Sequence, residues 1–333
     1  GPSIKGNGIS VEGVSGARLE NISLYNINLN NFGTKQIYTT YVENSSIYNY
    51  TLSAPCSVSG IAANMEFGIY SNNIGIFNGS SSALNSRSYY VPSITNNLSF
   101  TGANHIGIAS TGFLFSSLSK NSLIKDSYLS GDSQSGIALA FSYVGDFGNV
   151  SFHNVTMTNW KQGVWINHGY NSTFTNCTIE NNTIGVDLFS GAVGTGKDFT
   201  FISNRIQNNS FSGINITKKA SSNNTFYNNY INNSVNVFPN SGAENDWNRT
   251  SITGASIIGT ANLGGNFWAT PAKDGWSQTC TDTNSDGFCE SPYVIDENNT
   301  DYLPLTNNVN VAPNTPTVNI TAIGGDTNLT GQN

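Results

Sequence analysis

Carboxylates, amides and aromatic rings are the groups in this chain whose types and spacing could do chemistry. Asp282-Thr-Asn284-Ser-Asp286-Gly287 puts an oxygen-bearing side chain at every second position before a glycine, the spacing of the first half of a calcium loop. Its twelfth position is Tyr293, so a complete calcium site would need Glu290, Asp296, Glu297 or Asp301; without an ion the same residues make an Asx-rich turn. Cys280 and Cys289 bracket the loop and are expected to form a disulfide in an oxidising compartment. Trp160, Trp165 and Tyr170, with Asp187, are a candidate saccharide-contacting group, since rings with one polar handle suit sugars; packing within turns is the alternative role. Glycoside hydrolysis would need two carboxylates facing each other, and elimination from a uronate a Lys or Arg base. Lys125 with His153, and Asp187 beside Trp165, are the best such pairs, and no catalytic residue is assigned. His105, His153 and His168 are isolated, and Cys56 and Cys177 read as buried thiols, so transition-metal ligands are lacking.

The elements that must position these residues recur between residues 122 and 237. Ile124-Lys-Asp-Ser-Tyr-Leu129 is followed by Gly136-Ile-Ala-Leu139, and Phe152-His-Asn-Val-Thr-Met157 by Gly163-Val-Trp-Ile166. Phe174 to Ile179 with Gly185-Val-Asp-Leu188, Phe201 to Ile206 with Gly213-Ile-Asn-Ile216, and Phe226 to Ile231 continue the series. A repeat of roughly 22–28 residues with strand alternation and no helical period is a solenoid signature. Coiling the chain so that each strand pairs in parallel with its counterpart one turn later buries every inward residue in a column. Alternation puts Ile137/Leu139, Val164/Ile166, Val186/Leu188 and Ile214/Ile216 inside, and Ala138, Trp165, Asp187 and Asn215 outside. Two further outward columns run Lys125, His153, Thr175, Ile202, Tyr227 and Ser130, Thr158, Glu180, Gln207, Asn232. Asn154 and Asn176 are expected at bends, inside a hydrogen-bonded amide column. Before residue 121 the copies are weaker, and Gln36–Tyr50 and Asn78–Tyr90 read as loop insertions on a binding face.

Only 10% of the 333 residues are charged, and Asn, Ser, Thr and Gly fill the polar positions. Thirteen Lys and Arg against a net charge of -7 argue against a nucleic-acid partner. No apolar run approaches the roughly 20 residues of a membrane span. About eighteen Asn-X-Ser/Thr triplets, among them Asn21, Asn49, Asn97, Asn171, Asn223 and Asn298, are candidate glycosylation sites.

The rungs, together with Leu263-Gly-Gly-Asn-Phe-Trp268, Asp282 to Gly287, Ser291-Pro-Tyr293 and Asp301-Tyr-Leu-Pro-Leu305, resemble the NosD-like and pectate-lyase-like right-handed parallel β-helix proteins, in particular secreted archaeal surface proteins. The resemblance implies an all-β solenoid with rungs over 1–245, a C-terminal cap over 246–305, and a linker with the start of an immunoglobulin- or PKD-like module over 306–333. Trp247, Trp268 and Trp276 would plug the end of the apolar column. In that family the fold serves adhesins, envelope components and carbohydrate-active enzymes alike. The reading is a non-catalytic extracellular or cell-surface protein, adhesive or structural, whose partners are glycans or envelope proteins. A polysaccharide lyase or glycoside hydrolase, and a self-assembling envelope or filament subunit, are the alternatives.

Overall fold

The computed structural model describes residues 7–308 except 31–34, 55–62, 84–86, 93, 108–109, 117–118, 133–134, 143–147, 190–195, 218–221 and 240–241. Cys56 and the expected module after residue 308 lie outside the described residues. The chain is a parallel β-solenoid built on a ten-stranded and a fourteen-stranded sheet, in which strands pair with their counterparts one rung later. Strands form because β-branched and aromatic residues alternate with Ser, Thr and Asn. They end where an asparagine takes the left-handed backbone, as at Asn171 (φ 49°), Asn176 (φ 55°) and Asn181 (φ 57°), whereas at Asn97 (φ 58°) and Asn154 (φ 53°) the same conformation bends the chain within the strands Asn96–Ile106 and Ser151–Thr158.

The interior is a stack of identical contacts. Phe152, Phe174, Phe201, Phe226 and Trp247 lie face to face with centroids 4.5, 4.6, 4.7 and 4.7 Å apart, which is the rung spacing itself. Trp268 continues the column at 5.6 Å, so Trp247 and Trp268 close its end, whereas Trp276 stays partly exposed on the outside of the cap. Each fully buried ring contributes about 1.5–3 kcal/mol by leaving water.

Buried amides run beside the rings. The backbone N–H of Cys177 donates to Asn204 Oδ1, that of Asn204 to Asn229, that of Asn229 to Asn266, and that of Asn266 to Asp301 Oδ2, at 2.8, 2.9, 3.1 and 2.7 Å. Asn182, Asn209 and Asn233 form a second such column, and Asn224, Asn245 and Asn299 a third. Asn154 and Asn176, expected inside, are exposed: a left-handed residue turns its side chain out at the corner, and the residue after it faces in. The outer asparagines join one another instead, with Asn97 Nδ2 donating to Asn73 Oδ1 at 2.8 Å and Asn154 Nδ2 to Asp126 Oδ1 at 2.8 Å.

Two further expectations are corrected. Leu139 and Phe141 pair with Val164 and Ile166, so Ala140 rather than Ala138 joins the outward column and Ile137 faces Gln162. The glycine of that rung lies two residues before the position Gly163 occupies in the next, because turn lengths differ. The Gln36–Tyr50 and Asn78–Tyr90 stretches are largely strand, within Lys35–Thr40, Val42–Ala54, Asn72–Ala83 and Arg87–Val91. At the C-terminal end Phe267–Ala269 pairs with Tyr230–Asn232, so the segment expected as cap contributes a strand to the larger sheet before folding over it.

Candidate functional site

The outward face of the ten-stranded sheet carries one continuous column in which Tyr38, Glu66, Tyr90, Leu114, Ala140, Trp165, Asp187 and Asn215 sit on successive rungs. Successive members are about 4.8 Å apart. At its C-terminal part Asp187 accepts hydrogen bonds from Gln162 Nε2 at 2.5 Å, Asn215 Nδ2 at 2.9 Å and Thr217 Oγ1 at 3.1 Å. The carboxylate is only 4% exposed, and burial raises its pKa against these donors. Trp165, one rung before, stacks on Phe189 at 5.8 Å. Trp160 does not join them. It is fully buried, its Nε1 donates to Leu129 O at 3.1 Å, and it packs 5.4 Å from His105, so it is a core residue. Tyr170 sits on the separate two-residue strand Gly169–Tyr170, past the turn that follows Ile166.

The N-terminal part of the same face holds a charged group that the repeat pattern did not reveal. Lys35, Ala63 and Arg87 share a column beside Tyr38, Glu66 and Tyr90. Lys35 Nζ lies 2.8 Å from Glu66 Oε1 and 3.9 Å over the Tyr38 ring, while the Arg87 guanidinium lies 4.4 Å over Tyr90. Ala63, fully buried, stands between the two cations, which are two rungs or roughly 10 Å apart. Glu66 Oε2 and Arg87 Nη1 are buried and have no hydrogen-bond partner among the described residues. Such orphans cost roughly 1–3 kcal/mol or more each. The signal for this group was the shared four-residue frame of Lys35-Gln-Ile-Tyr38, Ala63-Asn-Met-Glu66 and Arg87-Ser-Tyr-Tyr90, which has no leading glycine.

On the larger sheet the predicted outward columns hold: Lys125 pairs with His153, and Thr158, Glu180 and Gln207 follow one another. Gln207 Nε2 donates to Glu180 Oε2 at 2.8 Å, and no second carboxylate faces Glu180 from the next rung. Asn21, Asn49, Asn97, Asn171 and Asn223 are all exposed at left-handed corners, and Asn298 is half-buried.

In the acidic cap loop the side chains are turned to the chain's own N–H groups. Buried Asp282 accepts from the N–H of Asp286 at 3.2 Å and Gly287 at 2.9 Å, Asn284 Oδ1 from that of Asp286 at 3.1 Å, and Asp286 Oδ1 from that of Phe288 at 2.9 Å. Glu290 accepts from the N–H and hydroxyl of Thr283, which lowers its pKa. Asp296 and Asp301 are engaged elsewhere, with Asn299 and with Asn266 and Trp268. The loop's side-chain oxygens are thus engaged by its own N–H groups, and on that ground chelator is expected to leave the melting temperature unchanged. A rise of several degrees in millimolar calcium would overturn this. Cys280 and Cys289 are joined, with Cα atoms 5.6 Å apart. Closing a loop of this size removes chain entropy worth about 2.5–3 kcal/mol. The Cys280→Ser/Cys289→Ser variant is expected to lose that much in denaturant unfolding of the cap.

A family model described as periplasmic copper-binding protein (NosD) matches residues 3–273. The chain belongs to the NosD family. No curated protein matches it significantly. A solved structure, the Azotobacter vinelandii mannuronan C-5 epimerase AlgE6 A-module, is similar over 71% of this chain and 79% of its own, at 11% identity and a TM-score of 0.24. Membership of a periplasmic family supports an extracellular or envelope-associated protein, and no helix among the described residues is long and apolar enough to cross a membrane. Among the described residues of this NosD-family chain the donors do not fit copper. His105 is buried with Nδ1 2.5 Å from Ser88 Oγ, and burial lowers its pKa to about 4. Burial pushes the Cys177 thiol up to about 12, and Met65 and Met157 are core residues. Among the described residues no three His, Cys, Asp or Glu side chains converge on a metal position.

Proposed function

We infer that this NosD-family protein is a non-catalytic extracellular or envelope β-helix that holds a glycan along the outward face of the ten-stranded sheet. The observation that carries the reading is the pair of buried polar atoms on that face, Glu66 Oε2 and Arg87 Nη1, that have no partner among the described residues. A carboxylate oxygen takes a sugar hydroxyl as acceptor, and a guanidinium gives N–H groups to ring or hydroxyl oxygens. Trp165 and Asp187 lie farther along the same column, in line with an extended chain rather than a compact ligand. Isothermal titration calorimetry with oligosaccharides chosen from a glycan array tests the reading. Glu66→Gln and Arg87→Leu are expected to weaken binding at least tenfold with the circular dichroism unchanged, and unaltered affinity in both would sink it.

A lyase or hydrolase is the second reading, favoured by the placing of Glu66, Lys35 and two tyrosines within neighbouring rungs. New reducing ends or unsaturated products from a bound oligosaccharide, abolished by Glu66→Gln, would establish it over the first.

A further inference from the structure

The cap does more than cover the end of the helix. The loop of its hairpin, Ile252–Thr253 with Asn262–Leu263, and the turn that follows Ala269 border an open cleft of about 560 Å³ beside the larger sheet. An adjoining space of about 340 Å³ continues past Ser256 and Thr178, sharing Arg205 and Ile257 with the first. Nothing in the repeat pattern pointed to this cleft.

Its polar lining is one-sided. Arg205 lies in the outward column Thr178, Arg205, Tyr230, Phe267. The guanidinium is 5.0 Å over the Tyr230 ring, which is itself stacked on Phe267 at 5.4 Å, so the column holds the cation beside the cleft that it lines. Lys273 lines the other side from a turn closed by its own N–H to Thr270 O at 3.0 Å. Neither cation has an ion-pair partner among the described residues, in a chain of net charge -7. Gln278 adds a third donor. Its Oε1 accepts the N–H groups of Thr270 and Gly275, both at 3.0 Å, which fixes the amide so that Nε2 remains for the cleft. Three donors without a counter-charge call for an anion. The rest of the wall is apolar, from Ile257, Ile258 and Phe267, and Asn308 spends its Nδ2 on Gln278 O at 2.5 Å, leaving Oδ1 as an acceptor. A bare inorganic anion would use neither the apolar wall nor that acceptor. A sugar ring bearing a carboxylate uses both.

We propose that the cleft between the larger sheet and the cap is a second, anion-selective saccharide site, in which Arg205, Lys273 and Gln278 Nε2 hold the acidic group and Asn308 a hydroxyl. The site is independent of the Glu66 face. Calorimetry on the whole protein with trigalacturonate, maltotriose and sodium sulfate separates the possibilities. Trigalacturonate is expected to bind at least tenfold more tightly than either other probe. Arg205→Gln/Lys273→Gln is expected to weaken it at least tenfold with the melting temperature unchanged, because both side chains are exposed. Gln278→Glu keeps an oxygen for the two N–H groups but turns the third donor into an acceptor, so it too is expected to weaken the acidic probe.

Glu66→Gln/Arg87→Leu should leave this affinity within twofold. Loss in that variant with retention in Arg205→Gln/Lys273→Gln would move the anion to the Glu66 face and overturn the cap site. Equal binding of maltotriose, or sulfate binding as tightly as trigalacturonate, would overturn the anionic-saccharide assignment while leaving the glycan reading of the other face intact.

Discussion

Replacing Asn229 with alanine is expected to lower the free energy of unfolding by about 3–5 kcal/mol, since each buried group left without a partner costs roughly 1–3 kcal/mol. Asn229 Oδ1 accepts both the backbone N–H and the Nδ2 of Asn204, and its own Nδ2 donates to Phe201 O and Asn266 Oδ1. An alanine reproduces none of these, and the site is too enclosed for bulk water to replace them: Asn204, Asn229 and Asn266 are fully buried. The column is one connected network, so the loss spreads to both neighbouring rungs. The contrast is with the outer corners. Asn154→Gly removes one exposed bond to Asp126 and keeps the left-handed backbone, so it should cost well under 1 kcal/mol. Urea midpoints of the two variants, with equal m-values, decide the matter. Equal losses would show that the inner column is not what holds the rungs in register.

The second large effect is on pH dependence. Asp301 ends the amide column, taking N–H groups from Asn266, Trp268 and Leu303, yet burial without a cation raises its pKa to about 7. In the unfolded chain it titrates near 3.9, so between about 4 and 7 the native state binds more protons than the unfolded one and stability falls as pH rises. The span corresponds to about 4 kcal/mol, fully present below the unfolded pKa and gone once pH passes the folded one. His105 works in the opposite sense. Its pKa is lowered to about 4, so its neutral buried form stabilises above the unfolded value of about 6.5 and that contribution is lost as pH falls. The two slopes oppose each other in the wild type. Asp301→Asn is expected to unmask stability rising from pH 4 to 6.5, and His105→Gln stability falling from pH 4 to 7. Parallel pH profiles for both variants and the wild type would refute the assignment.

The distinction between inner and outer asparagines shows what could be read before folding. Rung period, parallel coiling and the inward pairs Val164/Ile166, Val186/Leu188 and Ile214/Ile216 follow from apolar residues recurring in a fixed frame, because a two-residue alternation leaves no choice of face within one strand. The pairing of Cys280 with Cys289 was likewise legible, since nine residues separate them around a turn. The candidate site was legible only at Trp165 and Asp187, which lie inside that frame. Trp160 carried the same aromatic signal and proved to be core, because its position follows a left-handed residue, Asn159, which resets the alternation by one.

Only the tertiary structure decided the rest. A left-handed corner exchanges inside and outside, so whether Asn176 or Asn204 is buried depends on one backbone angle that residue type alone does not specify. Turns of unequal length separate Lys35, Glu66 and Arg87, and their columns exist only once the strands are hydrogen-bonded in register. The cap cleft depends on how Lys273 and Gln278 fold back over Arg205, which no local periodicity encodes. The sequence by itself determined a stacked, sparsely charged polar rod with an acidic disulfide-closed end. Long-range pairing determined which of its polar groups stand buried and which columns share a face.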